Sequence, residues 1–159
     1  MGDSPSGVVG IPEEELDGDI GTPDVDVMTD VSDLFLDEEP LVENYSWNDP
    51  IYKRELHIHF SDGIDADWSR LDVTWYTSGA YKFHYVDEND QNWRFDRHPN
   101  DHSDEKHFHE PPDADSRAAV TSCILVEEPG LVARAVWKLW RRAVATGSLD
   151  ELNSARNPP

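Results

Sequence analysis

The chain has 159 residues, 30% of them charged, and a formal net charge of −21 at pH 7, so it has room for one ordinary domain of about 100–150 residues and little more. Its single cysteine, Cys123, excludes an intrachain disulfide and metal sites built on paired cysteines. No stretch approaches the roughly 18 apolar residues that span a bilayer, and the first residues do not read as a leader, so a soluble cytoplasmic protein without membrane contact is expected.

Residues 1–50 hold 15 Asp/Glu and no Lys or Arg, leaving 19 acidic against 13 basic side chains in residues 51–159. With one exception the apolar residues of this first segment come singly or in pairs, too sparse to offset the entropy of ordering, and it reads as a largely disordered acidic arm. Within it Val31, Leu34, Phe35 and Leu36 form either an incidental apolar cluster in a solvated tail or a short helix that docks on a partner.

From Tyr52 the pattern alternates, with Tyr52, Leu56, Ile58 and Phe60 on one side and Lys53, Glu55, His57 and His59 on the other, as in a half-buried strand. The same period puts Leu71, Val73 and Trp75 inward, then Tyr81, Phe83 and Tyr85, then Trp93 and Phe95, with turns at 61–67, 77–79 and 87–92. These four strands predict an antiparallel meander with one wet face. Residues 97–116, rich in His, Asp, Asn and Pro, read as a long loop, and loops of such length are often functional. Residues 119–126 suit a fifth strand better than a helix start.

Glu127, Glu128, Pro129 and Gly147 mark the start and exit of a helix whose apolar stripe, Leu131, Val132, Ala135, Val136, Leu139, Trp140, Ala143 and Val144, covers the sheet's apolar face. Arg134, Lys138, Arg141 and Arg142 form its other side, either as ordinary solvated surface or as a contact for an acidic partner or the arm. Residues 150–159 read as a flexible tail. The expected fold is therefore α+β: an antiparallel meander of four to five strands over residues 51–149 with a C-terminal helix packed on one face.

All seven histidines lie between His57 and His109, and His57/His59 and His107/His109 are spaced to put both rings on one side of an extended chain. The wet face would present His57, His59, Lys82, His84 and Arg94 beside Asp72 and Asp96. Imidazoles exchange protons near neutral pH and Lys or Arg can hold a phosphate, so the surface suits phosphodiester cleavage. Two other readings stay open: a divalent metal site using His57, His59, His107 and His109 with a carboxylate, or polar residues that only bind. The catalytic reading assigns His98, His107 and His109 as acid/base groups with Arg94 and Asp96, and Arg97, Lys82, His84, His57 and His59 to phosphate. It requires no cofactor.

The aromatic strand Tyr81 to Tyr85, the turn Asp87 to Asn92, the segment Trp93-Arg94-Phe95-Asp96, the pair His98-Pro99 and the cluster His107-Phe108-His109 together resemble the TumE family of prokaryotic toxin–antitoxin pairs. The similarity covers about Tyr52 to Leu139. It implies a toxin role and a small helix-turn-helix antitoxin as partner, without supplying a reaction. The acidic balance, with only four lysines, points to a halophilic, archaeal-type member. In molar salt the Debye length falls to about 3 Å, so negative charge does not bar an RNA substrate.

Overall fold

The computed structural model describes residues 21–98 and 106–153. In chain order it contains α1 (Val25–Glu38), β1 (Val42–Trp47), β2 (Leu56–Phe60), β3 (Ser69–Trp75), β4 (Tyr81–Asp87), β5 (Asn92–Arg97), β6 (Lys106–His109), β7 (Ala119–Thr121) and α2 (Pro129–Thr146). The strands form one antiparallel sheet in sequence order, each paired with its neighbours in the chain. The α+β meander with its C-terminal helix is as expected, but seven strands replace four or five.

Alternation builds the core. Leu56, Ile58, Phe60, Leu71, Val73, Trp75, Tyr81, Phe83, Tyr85, Trp93, Phe95 and Phe108 all point to one face and are buried. Registered aromatic pairs lock adjacent strands: Trp75 stacks on Tyr81 at 4.8 Å, Tyr85 on Trp93 at 4.9 Å, and Phe95 meets Phe108 at 4.7 Å. Both helices cover this face, since Phe60 meets Phe35 of α1 at 6.0 Å and stacks on Trp140 of α2 at 4.2 Å.

The expected disordered arm is the main correction. Residues 1–20 lie outside the described part, but from Asp24, whose carboxylate accepts Val27 N–H at 3.1 Å, the chain is helical. Met28, Val31 and Phe35 sit on one side of α1 and are buried in the core, a spacing of i, i+3, i+7 too thin to stand out in an acidic background. The apolar cluster thus docks on the protein's own sheet, with Leu36 left exposed.

Glu39, buried at the end of α1, clamps the two helices. Its Oε1 receives Trp137 Nε1–H at 3.1 Å and an Arg141 guanidinium N–H, and its Oε2 accepts Leu41 N–H at 2.9 Å. Arg134 lies 3.8 Å from Glu38. Two residues of the basic face of α2 therefore meet the acidic segment itself.

Three local expectations also shift. β2 begins at Leu56, and Tyr52 is exposed (72%) with Ile51 (79%) in a hairpin shaped by Asn48, which accepts Arg54 N–H and Glu55 N–H, and Asp49, which accepts Ile51 N–H and Tyr52 N–H. The expected loop at 97–116 contains β6, and the strand expected over 119–126 is three residues long. The tail is anchored as far as Asn153, whose amide binds Cys123 N–H and Thr121 carbonyl while Leu152 is buried. At its other end α2 follows the sequence reading closely: Glu128 caps it through Leu131 N–H, and Gly147 leaves it at φ 69°.

Candidate functional site

The face opposite the helices carries the polar half of each strand, and strand register sorts it into rows. One row runs Ser46, His57, Asp72, His84, Arg94, His109 from β1 to β6. A second holds Thr74, Lys82, Asp96, His107 and Thr121. A third holds Asn44, His59, Arg70, Val86 and Asn92. These rows rest on cross-strand pairing between residues distant in sequence, which is why alternation alone places a residue on the face without naming its neighbours.

Asp96 is the centre of the densest group. It is 1% exposed, and its Oδ2 lies 3.0 Å from Arg94 Nε, 2.8 Å from His109 Nε2 and 3.7 Å from His98 Nε2. His107 Nδ1 is 3.7 Å from Oδ1, an ion-pair distance that leaves this buried oxygen without a hydrogen bond among the described residues. Burial alone would push this carboxyl up, but the imidazoles of His107, His109 and His98 outweigh it and hold the group well below the usual carboxylate range.

His109 has two kinds of neighbour. Its Nδ1 is 3.1 Å from the Asp115 carbonyl oxygen, which acts only as an acceptor, while Nε2 lies between Asp96 and, at 3.2 Å, Arg94 Nη2. Nε2 can donate to the carboxylate or accept from the guanidinium, according to which ring nitrogen carries the hydrogen. His107 and His98 have more open rings, about a quarter and a fifth exposed.

A second group lies on β2 and β3. Arg70 donates to both oxygens of Asp72, from Nε at 2.7 Å and Nη2 at 3.0 Å. His57 Nε2 lies 2.8 Å from Glu55 Oε1 and 3.8 Å from Asp72 Oδ1, and His59 Nε2 lies 3.1 Å from Ser46 Oγ. Burial lowers the pKa of His59, aided by the charges of Arg70 and His57. Between the two groups His84, bonded to Asn92 Oδ1 at 2.8 Å, is likewise lowered, chiefly by burial.

The structure thus gathers His98, His107, His109, Arg94 and Asp96 around one carboxylate, with Lys82 registered opposite Asp96 and His84 opposite Arg94. His57 and His59 stand four strands away from His107 and His109, about 19 Å at the usual strand spacing, so the four histidines cannot share one metal ion. Among the described residues the donor set that converges within 4.8 Å is Glu55, His57 and Asp72, although Asp72 already has both oxygens on Arg70. Arg97 is not on this face. It has the parity of the buried residues, reaches the Gly79 carbonyl at 3.3 Å and lies 3.7 Å from Glu127. His102 lies outside the described residues. Arg70 was missed by sequence reasoning; the recurrence of Arg-x-Asp at 70–72 and 94–96 was the available signal.

A family model described as Toxin TumE matches residues 32–144, from the middle of α1 to the last turn of α2. No curated protein and no solved structure matches the chain. Among the described residues no helix is long and apolar enough to cross a membrane.

Proposed function

The chain belongs to the TumE toxin family, and from that membership we propose that it is the toxin of a toxin–antitoxin pair and acts in the cytoplasm as an RNA-directed nuclease through the Asp96 group. The observation that carries this reading is the convergence of three imidazoles and one guanidinium on a single buried carboxylate. Asp96 stays ionised, orients His109 and Arg94, and leaves the group with an excess of positive charge whenever the rings are protonated, which suits a phosphate.

In this reading His107 removes the proton of a ribose 2′-hydroxyl. The 2′-oxygen forms a bond to phosphorus as the P–O5′ bond breaks, and His98 gives a proton to the departing 5′-oxygen, leaving a 2′,3′-cyclic phosphate. Arg94 balances charge on the phosphoryl oxygens. Positioned acid/base groups of this kind are worth about 10²–10⁴-fold each. The test uses the intact chain and a labelled oligoribonucleotide at both low salt and molar KCl. Cleavage to a cyclic-phosphate end is expected, with a loss of at least about 100-fold in a His107→Ala/His109→Ala variant. A folded double variant as active as the parent overturns the reading.

Family membership implies an antitoxin partner, and we propose a small helix-turn-helix protein encoded beside this gene. The exposed pair Ile51 and Tyr52, presented on a hairpin held by Asn48 and Asp49, favours that contact, because preorganised apolar side chains lose little freedom on binding. Co-purification should fail for Ile51→Ser/Tyr52→Ser; unchanged recovery removes the hairpin from the interface. Truncations aimed at an arm must stop by residue 20, since Met28, Val31 and Phe35 belong to the core.

A further inference from the structure

The open face carries the same four-residue arrangement twice. On β3 the sequence Arg70-Leu71-Asp72, and on β5 Arg94-Phe95-Asp96, each put a guanidinium and a carboxylate outward at i and i+2, with the guanidinium bonded to the carboxylate. Each strand is flanked by a His-x-His strand on its side away from β4: β2 with His57 and His59, β6 with His107 and His109. The register is also the same, since His57 faces Asp72 and His59 faces Arg70, while His107 faces Asp96 and His109 faces Arg94. β4, with Lys82 and His84 on this face, lies between the two copies.

The copies differ in what their imidazoles contact. Around Asp96 three rings approach one carboxylate, whereas in the β2–β3 copy His57 Nε2 is engaged by Glu55 and His59 Nε2 by Ser46. The β2–β3 guanidinium is also the more open, with Arg70 36% exposed against 17% for Arg94. A cation anchored on a rigid strand and open to solvent, beside rings that among the described residues bond only through Nε2, is suited to hold an anion.

We propose that Arg70 and His59, with His57, form a second phosphate-holding site, and that the substrate is single-stranded RNA long enough to cross β4 and engage both copies. This rests on the nuclease reading and adds the substrate class. The Arg-x-Asp strands are two strand spacings apart, about 10 Å, and the outer histidine strands about 19 Å. A dinucleotide has one internucleotide phosphate and occupies one copy; a longer strand occupies both. Single strands are favoured because the 2′-oxygen must align opposite the P–O5′ bond, which a regular duplex hinders.

The test measures binding of labelled oligoribonucleotides of 2, 6 and 12 residues to the intact His107→Ala chain, together with cleavage kinetics of the parent. Affinity should rise at least about tenfold from 2 to 12 residues. Adding Arg70→Gln or His59→Gln should remove most of that rise. For Arg70→Gln the slope of log K against log salt should fall by about 0.7, the single-strand value for one phosphate contact. In the cleavage-competent chain His59→Gln should raise KM for the 12-mer more than it lowers kcat. His59→Gln, on a partly exposed ring, serves if Arg70→Gln fails to fold. A parent that cleaves RNA while both variants keep the full length dependence overturns the second site and leaves the nuclease reading standing; a 12-bp duplex bound as tightly as the single strand also overturns it. A parent that cleaves nothing instead removes the nuclease reading.

Discussion

Replacing Asp96 by Asn keeps the shape of the side chain and removes its charge, so it isolates what the carboxylate does for the group around it. Breaking a buried ion pair by deleting one partner costs about 3–5 kcal/mol. Arg94, His98 and His107 each retain some solvent contact, and Asn still accepts one hydrogen bond, so the expected loss is nearer about 2–3 kcal/mol at pH 7. At about 2–4 °C per kcal/mol for a chain of this size, Tm should fall by about 4–12 °C. The pH dependence has a definite sign. The folded carboxyl is held well below its ordinary value, while in the unfolded chain it titrates near about 3.9. Its stabilisation is therefore complete above that value and is lost as pH falls from there through the folded pKa. Urea unfolding of parent and Asp96→Asn between pH 3 and 8 should show a gap that stays open down to about pH 4 and narrows only below it. A gap under about 0.5 kcal/mol at pH 7, or one already closing at pH 5, refutes the reasoning.

Other outcomes follow from the same contacts. Glu39→Ala removes the acceptor shared by Trp137, Arg141 and Leu41 N–H; because Arg141 is half exposed, a loss of about 2–3 kcal/mol is expected by urea unfolding, and a change below about 0.5 kcal/mol would show that the clamp is dispensable. Trp140→Ala, at a fully buried ring stacked on Phe60, should cost about 3–5 kcal/mol and leave α2 less protected in hydrogen exchange. His84 and His59 have folded pKa values below the unfolded value of about 6.5. Their contribution to stability should therefore be complete above that pH and lost as pH falls through the folded values; His84→Gln should make the decline below about pH 6.5 shallower in a Tm series. Gly147→Ala, at φ 69° with open space around the new methyl group, should cost about 1 kcal/mol through backbone strain alone, read as a lower Tm.

What was legible in the sequence was local. Period-two alternation placed Leu71, Val73, Tyr81, Phe83, Tyr85, Trp93 and Phe95 in the core and His57, His59, Lys82, His84 and Arg94 on the other face, because side-chain direction in a strand depends only on residue parity; His107 and His109, expected in a loop, joined that face only through β6. The ends of α2 were legible for a similar reason: Glu128, Pro129 and Gly147 satisfy terminal backbone groups within a turn of themselves. The family motif was also present as a string, with His98 beside the strand that carries Arg94 and Asp96.

Only the tertiary structure decided the rest. α1 buries three well-spaced apolar residues, Met28, Val31 and Phe35, and such a helix is held by burial against Phe60 and by the Glu39 clamp rather than by its own propensity. Arg97 follows the inward parity of Trp93 and Phe95, and the assembled sheet sets it beside Glu127, away from the histidines, where the composition of its segment had suggested a phosphate contact. The histidine cluster, continuous in the sequence plot, is divided by register into two groups four strands apart, because each added strand moves a residue by about 4.8 Å across the sheet. Which imidazoles share a carboxylate was settled by β5 pairing with β6, and that pairing is a property of the assembled sheet rather than of either strand.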